Sequence, residues 1–332
     1  MSMQDCQNRL TKQFVPNSKL IFTLPLGGKI RKGNIVLTGT VVVSGGTTNG
    51  TAYGEGGPAN LLARIIVNAT PAGGSRYPGG KVVDAGPRDL IEYAIFQHNG
   101  KRIGELNGSV LGSGAAGTYQ VYQSIPLYFA DGNLRKNLST CLNTDPGTYQ
   151  SVQVEIDTGS LSLCFTGNDR TVDYSGLQVQ WVDDRVAIPG DTLVRYQESH
   201  TLLIPATQDR ALDEAMPQDG AFESWLIMAE QSSTAALSDN LLTRVRLNGP
   251  AITFDKYASD IRQAMLDDEW LDPAQAGTGL YYIDFTDAAL SNTVDAGTLQ
   301  TRLSVANVSG ANLDSLRIFT RRVFAPVPAS SK

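Results

Sequence analysis

Few residues in this chain have the types and spacing that enzyme chemistry needs. The run Gly112-Ser113-Gly114-Ala115-Ala116-Gly117 fits the dinucleotide pattern G-x-G-x-x-G, in which glycines let a helix N-terminus approach a pyrophosphate. The residues that follow, 118–122, alternate like a strand, where the motif requires a helix. We therefore interpret the run as a loop, and a nicotinamide enzyme has no other support in the sequence.

The sequence has few residues that could form a catalytic triad. A Ser/His/acid or Cys/His triad would have to use His98 or His200, the two histidines of the chain. His98 lies in a predicted turn and His200 at a predicted strand start, so surface positions are the simpler interpretation. The cysteines Cys6, Cys141 and Cys164 form no C-x-x-C pair, which argues against a zinc site, a redox motif or a disulfide framework.

The densest acidic runs are Asp183-Asp184 and Asp267-Asp268-Glu269. Two carboxylates that meet in a fold can hydrolyse a glycosidic bond, and oxygen ligands of this kind can hold a structural Ca²⁺ ion. No EF-hand spacing accompanies them. Solvated strand or helix ends are the simpler interpretation, so metal ligands stay unassigned and no cofactor is expected.

The charge is unevenly distributed along the chain. The whole chain has 27 basic and 33 acidic residues, a net charge of −6. Residues 1–185 carry 16 basic and 14 acidic groups (16 − 14 = +2), and residues 186–332 carry 11 and 19 (11 − 19 = −8). An acidic chain is a poor general binder of nucleic acid, and we expect no specific binding. A basic N-terminal segment can still contact an anionic surface; a solvated, fraying terminus is the alternative.

Composition and periodicity predict an all-β protein. The 332 residues are 41% hydrophobic and 18% charged, which excludes a disordered or coiled-coil chain and suggests two domains. The start of the chain has no apolar signal-peptide segment, so we expect synthesis in the cytoplasm. Short alternating runs separated by Gly and Pro are typical of a β-sandwich or barrel; we predict strands at 20–24, 35–43, 61–67, 118–129, 152–156, 161–165 and 177–182.

Two segments have helical spacing instead. Residues 87–96 begin with Pro87, which suits the first turn of a helix. Residues 255–269 place Tyr257, Ile261, Ala264 and Met265 on one face of a predicted helix. We predict two short helices inserted in the β protein.

An internal repeat links the two halves of the chain. Residues 60–68 (NLLARIIVN) reappear as residues 240–248 (NLLTRVRLN), an offset of 180 with five of nine positions identical. Each copy is followed by one predicted helix, then by a Gly-Thr-led strand, and finally by an alternating strand at 177–182 or 316–320. The same offset also pairs residues 22–25 with 202–205. We predict two β domains of one topology.

A family resemblance appears in the first third of the sequence. Residues 24–28 (LPLGG), a β-branched strand that ends in residues 37–40 (LTGT), a Gly-rich loop and residues 60–67 (NLLARIIV) follow one another. This order resembles the major capsid proteins of tailless, membrane-containing double-stranded DNA phages, the corticovirus- and tectivirus-like viruses. The sequence likeness covers about residues 18–100.

The resemblance implies an all-β fold of two tandem eight-stranded jelly rolls, a double jelly roll with short inserted helices. On this basis we predict an N-terminal arm at 1–16, jelly rolls at 17–186 and 193–325, a linker at 187–192 and a C-terminal tail at 326–332. It also implies a non-enzymatic coat protein whose homotrimers tile an icosahedral shell over an internal lipid membrane in the virion. Partners would be neighbouring trimers, vertex and membrane proteins, and the lipid itself.

The same resemblance gives the basic segment a role. In such proteins the N-terminal segment lies near the membrane, and anionic lipid attracts basic side chains. The residues expected there are Arg9, Lys12, Lys19, Arg31 and Lys32.

A carbohydrate-binding or glycan-degrading β-sandwich protein of a phage is the alternative. It is motivated by the two acidic runs described above and by aromatic residues on predicted strands. For the aromatic residues, packing in a core or an interface is the simpler role. These aromatic residues are Tyr119, Tyr122, Tyr128, Phe129, Tyr281 and Tyr282.

Overall fold

The computed structural model describes most of the chain. The described residues are 6–52, 57–96, 114–130, 138–204, 210–214, 219–231, 236–249, 252–267, 279–285, 294–295, 300–305 and 314–324. They divide into two compact units, one up to Arg195 and the other from Tyr196 to Phe324. Among these residues, neither helix is long and apolar enough to cross a membrane.

The first unit is built of strands that alternate buried and exposed residues, with one α-helix. Its strands are β1 (Cys6–Gln13), β2 (Lys19–Thr23), β3 (Lys29–Ser44), β4 (Thr51–Ala52), β5 (Leu62–Pro71), β6 (Gly80–Ala85), β7 (Gly117–Tyr128), β8 (Leu142–Asn143), β9 (Tyr149–Thr158), β10 (Phe165–Thr166) and β11 (Thr171–Val186). Helix α1 (Pro87–Phe96) follows β6, and 3₁₀ turns occupy Pro58–Leu61 and Leu161–Leu163.

Two antiparallel sheets form this unit. One has the strand order β1-β11-β3-β7, with the short β8 also on β3, and the other contains the order β6-β5-β9-β2. A two-stranded ribbon pairs β4 with β10. Alternate residues of both sheets are buried, the pattern of two sheets packed face to face; the buried set includes Phe22, Ile35, Leu37, Ile65, Val67, Val154, Ile156, Val179 and Trp181.

Close approach of strands explains two glycines in β3. A Cβ on Gly33 would lie 2.1 Å from the ring of the buried Trp181. Gly39 has φ +130°, and its Cβ would lie 2.1 Å from the carbonyl oxygen of Gly176. The β3–β11 register shifts between Asp173 and Gly176, so glycine lets the long strands bend at this bulge.

The second unit repeats this plan. Its strands are β12 (Val194–Ile204), β13 (Arg210–Glu214), β14 (Ala221–Gln231), β15 (Ala236–Leu237), β16 (Leu242–Gly249), β17 (Ile252–Tyr257), β18 (Leu280–Asp284), β19 (Val294–Asp295), β20 (Gln300–Val305) and β21 (Asp314–Phe324), and α2 (Ala258–Asp267) follows β17. One sheet has the order β12-β21-β14-β18, with β15 and β19 also on β14, and the other has β13-β20-β16-β17. The rings of Phe222, Trp225 and Phe285 pack together in its core.

The two units share one strand order. β1, β11, β3 and β7 correspond in connectivity to β12, β21, β14 and β18, and β6, β5, β9 and β2 correspond to β17, β16, β20 and β13. Eight strands of each unit therefore occupy equivalent places. The offset of 180 seen in the sequence aligns β5 with β16, but its pairing of residues 22–25 with 202–205 is wrong. Those residues reach β2 and β12, whereas the counterpart of β12 is β1.

An ion pair marks the equivalence at the level of side chains. Arg64 on β5 donates from Nε and Nη2 to Asp84 on β6, at 2.5 and 2.6 Å. Arg244, at the offset of 180, donates in the same way to Asp255 on β17, at 2.6 and 2.6 Å. In both units the residue directly opposite the Asp lies two positions after the Arg, Ile66 in one case and Arg246 in the other. The same diagonal pair thus supports the same strand register twice.

The predicted elements need three corrections. Residues 161–165 form a 3₁₀ turn and the start of β10 rather than one strand. The second helix begins at Ala258, so Tyr257 ends β17 and is 56% exposed instead of lying on a buried helical face. Residues 6–13, inside the predicted arm, form β1 and pair with β11 along eight residues. The domain limits themselves remain a prediction.

Candidate functional site

The predicted basic residues do not form one surface. Arg9 and Lys12 are exposed on β1, at the edge of its sheet, and Lys12 Nζ lies 5.8 Å from the centre of the Phe22 ring. Lys19 is on β2, in the other sheet, where its Nζ lies 2.9 Å from Glu155 Oε2 and 3.7 Å from Asp157 Oδ1. Its charge is therefore compensated locally.

Arg31 and Lys32 are also engaged within the first unit. Arg31 forms an ion pair with Asp184, and Lys32 Nζ lies 4.9 Å from the centre of the Tyr128 ring. Burial lowers the pKa of Lys32, although Asp184 opposes this shift. Arg9 and Lys12 are thus the members of the predicted set best placed to contact an external anion.

The acids Asp183 and Asp184 point to opposite faces of β11, because neighbouring strand residues alternate. Asp183 has no exposed side-chain surface and pairs with Arg185, while Asp184 pairs with Arg31. Two carboxylates on opposite faces, each held by its own arginine, cannot flank one glycosidic bond. This pair therefore gives no support to glycoside hydrolysis.

Other residues singled out in the sequence are scattered. His200 is on β12, with Nε2 3.9 Å from Glu198 Oε2, and Asp267 ends α2, where it accepts a hydrogen bond from Gln263 at 2.8 Å. His98, Asp268 and Glu269 lie outside the described residues. Across the described part of the chain, no group of three or more His, Cys, Asp or Glu side chains could hold a metal ion.

The glycine run does not have the surroundings of a dinucleotide-binding motif, and two of the cysteines do not have those of a reactive thiol. β7 begins at Gly117, so a strand follows the G-x-G-x-x-G run, as its alternation predicts. Cys141 and Cys164 are buried, and burial raises the pKa of their thiols to about 11 and about 12. Protonated, buried thiols are poor nucleophiles.

One group of charged side chains that the fold brings together is buried in the first unit. Arg185 donates to Asp183 Oδ1 at 3.0 Å and Oδ2 at 2.9 Å, and Trp181 Nε1 donates to Oδ2 at 3.0 Å. Arg185 Nη1 also donates to the carbonyls of Pro25 and Gly27, both at 2.7 Å. The cluster fixes the turn between β2 and β3 against β11, and its polar groups are satisfied, as buried ions require.

A second group of contacts holds the predicted linker to the first unit. Lys29, with a side chain 2% exposed, donates from Nζ to the carbonyl of Ile188 at 2.7 Å and to that of Gly190. Tyr77 donates to Asp191 Oδ1 at 3.1 Å and accepts from the backbone N–H of Thr192 at 3.1 Å. Residues 188–192 are therefore fixed by side chains of the first unit rather than tethered loosely.

The middle of the outer face of one sheet in this unit lacks charge, although Arg9, Lys32, Asp173 and Asp184 lie on the same face towards its ends. On sheet β1-β11-β3-β7, three rows of cross-strand neighbours carry no charged side chain. We call these residues the uncharged face; they are Thr11, Gln13, Val36, Thr38, Thr40, Gln120, Tyr122, Ser124, Gln178 and Gln180, all exposed or half-buried. Tyr122, at 44% exposure, is its most prominent aromatic residue.

The outer face of the sheet β6-β5-β9-β2 carries several ion pairs. Besides the Arg64–Asp84 pair, Lys81 Nζ lies 3.1 Å from Asp84 Oδ2, and Lys19 pairs with Glu155 and Asp157. Hydrogen bonds from Arg64 and Lys81 lower the pKa of Asp84 although burial opposes them. We call these six residues, Lys19, Arg64, Lys81, Asp84, Glu155 and Asp157, the ion-paired face.

Sequence reasoning missed both the buried cluster and the contrast between the faces. The alternation of residues 177–182 does identify Gln178 and Gln180 as outward residues. Which strands lie beside β11 depends on long-range pairing, so the uncharged face could not be assembled from one strand. Lys29 and Arg185 resemble surface residues in sequence, and only the fold buries them.

Comparisons with known proteins find structural likeness without sequence likeness. No family model and no curated protein matches the chain. Solved structures do match over almost its whole length. The major capsid protein of Sulfolobus turreted icosahedral virus is 13% identical, with a TM-score of 0.71 and 98% of both chains covered. The major capsid protein P2 of bacteriophage PM2 is 10% identical, with a TM-score of 0.58, 96% of this chain covered and 98% of that chain.

A structure described as the PBCV-1 virus capsid matches with a TM-score of 0.58, 12% identity and coverage of 97% and 94%. These likenesses agree with the strand order found in both units. The chain is a double jelly roll. The double jelly roll with short inserted helices, predicted from the resemblance, is thus confirmed, while the corticovirus- or tectivirus-like lineage remains a prediction.

Proposed function

We propose that this double jelly roll is a viral major capsid protein that acts as a structural, non-enzymatic building block of the virion. The observation that carries the proposal is the full-length likeness to major capsid proteins, in which both jelly rolls match and almost nothing is left over on either chain.

The proposed assembly unit is a homotrimer. Three copies of a chain with two equivalent jelly rolls present six similar modules, which suit a pseudo-hexagonal block. Rotation by a third of a turn closes such a ring through heterologous contacts. Trimers would then tile an icosahedral shell, with vertex and membrane proteins as further partners.

Light scattering after size exclusion tests the trimer. We expect a mass of about three times the 35.6 kDa of the chain, because obligate interfaces of assembling proteins are large and persist on dilution. A mass of one subunit at every concentration would contradict the proposal.

A contact with an internal lipid membrane is the second part of the proposal, and it now rests mainly on Arg9 and Lys12. Each basic residue near an anionic leaflet contributes about 1 kcal/mol. The double variant Arg9→Gln/Lys12→Gln should therefore bind vesicles of phosphatidylserine and phosphatidylcholine roughly 30-fold more weakly than the unmodified protein. Vesicle flotation measures this directly.

Lys19→Gln provides the matched control, because Glu155 and Asp157 already compensate Lys19. It should leave flotation nearly unchanged. Equal binding by the double variant and the unmodified protein would remove Arg9 and Lys12 from the membrane contact without affecting the trimer.

A further inference from the structure

The uncharged face is unusual for an acidic, water-exposed chain. Charged residues make up 18% of the sequence and concentrate on protein surfaces, so ten outward positions would be expected to include about two or more of them. On the opposite sheet, charged side chains occupy six outward positions spread over all four strands. The ten neighbouring positions of the uncharged face carry none. Its rows end where charge resumes, at Arg9 on one side and Asp173 on the other.

We propose that the uncharged face is a contact surface for a second copy of this chain. The inference rests on the proposed function, since it names the surface through which copies of the capsid protein meet. Interface centres are depleted in charge and enriched in tyrosine, and Tyr122 lies in a row with Thr38, Gln178 and Gln13.

The charge of the chain and the neutrality of this face favour a second copy of the chain as the binding partner. Two chains of net charge −6 repel each other, so a contact between copies is favoured where neither side brings buried charge. A strongly basic or acidic partner would bury its own charges against Gln and Thr side chains, which cannot neutralise them. A face of neutral hydrogen-bonding groups suits another neutral surface of the same chain.

The size of the face fits one contact among several. Three rows spaced by two residues and four strands cover roughly 20 Å by 20 Å, or about 400 Å². A standard interface buries about 800 Å² on each partner. The uncharged face is therefore suited to a subunit with several neighbours rather than to an isolated dimer.

Charge insertion at the centre of the face tests the proposal. Thr38 lies between Gln178 and Tyr122 on a half-buried outer position. Thr38→Asp and Thr38→Lys should each weaken self-association by about tenfold or more, because either sign would be buried without a partner. Sedimentation over a dilution series gives the association constants, and circular dichroism checks that both variants are folded.

Thr23→Asp is the matched control. Thr23 is exposed on β2, on the same side of its sheet as the ion-paired face, and the substitution changes net charge as Thr38→Asp does. It should change association less than about twofold. If Thr38→Lys instead strengthened association, general repulsion between acidic chains would account for the data and the proposal would be overturned.

A labelling measurement keeps the proposal testable if the Thr38 variants do not fold. In a Cys6→Ser background, maleimide should react with Tyr122→Cys much more slowly in the oligomer than in the dissociated chain, while Thr23→Cys reacts equally in both. Equal reactivity of Tyr122→Cys in both states would overturn the uncharged face alone. A protein that never self-associates would overturn the trimer as well as this contact.

Discussion

Replacing Arg185 with methionine should destabilise the first unit by about 3–5 kcal/mol, because it leaves a buried charge without its partner. Asp183 has no exposed side-chain surface, and its carboxylate accepts two hydrogen bonds from Arg185 and one from Trp181. The same substitution removes the donor that serves the carbonyls of Pro25 and Gly27. Equilibrium unfolding in urea, followed by tryptophan fluorescence, measures the loss.

The double variant Asp183→Leu/Arg185→Met is its control. Removing both charges should recover a large part of the lost stability, since the unpaired carboxylate is then absent. The recovery should be incomplete because the Pro25 carbonyl loses its Arg185 donor and the Gly27 carbonyl keeps only the hydroxyl of Thr144. Equal stability of Arg185→Met and the unmodified protein would show that Asp183 is not enclosed as described.

Replacing Gly39 with alanine should cost at least about 3 kcal/mol, because two penalties add. A residue with a side chain is strained at φ +130°, and its Cβ would overlap the carbonyl oxygen of Gly176 at 2.1 Å. The partner is backbone of the neighbouring strand, so relief requires that β3 and β11 move apart. Urea unfolding and the yield of soluble protein are the measurements.

Gly147→Ala separates the two penalties. Gly147 also has a positive φ, +89°, but a Cβ there would meet no atom within 4 Å. It should therefore cost about 1–2 kcal/mol from backbone strain alone. If Gly39→Ala were no more harmful than Gly147→Ala, the close approach of β3 to β11 would be refuted.

The β architecture could be predicted from sequence because its signals are local and repeated. Residues 35–43 form a β-branched run, residues 177–182 alternate strongly, and the repeat of residues 60–68 at 240–248 marks β5 and β16. The first strand, residues 6–13, has no comparable apolar alternation, because β1 is an edge strand with exposed Arg9 and Lys12. Its pairing with β11 comes from residues more than 160 positions away.

The candidate surfaces were harder to foresee than the fold. The five basic residues are alike in sequence. In the fold, however, Lys19 and Arg31 form ion pairs with acidic side chains, and burial lowers the pKa of Lys32. The uncharged face combines β1, β3, β7 and β11, so no single segment displays it. Short matches also mislead: residues 22–25 and 202–205 share an apolar strand ending in proline, but the topology assigns them to different positions.

Electron microscopy of the purified oligomer tests the central claim most directly. A shell-forming double jelly roll should give single-particle averages with threefold symmetry and a six-lobed outline, three chains contributing two modules each. Averages of a single two-lobed particle, or of a ring whose symmetry is not a multiple of three, would contradict the account.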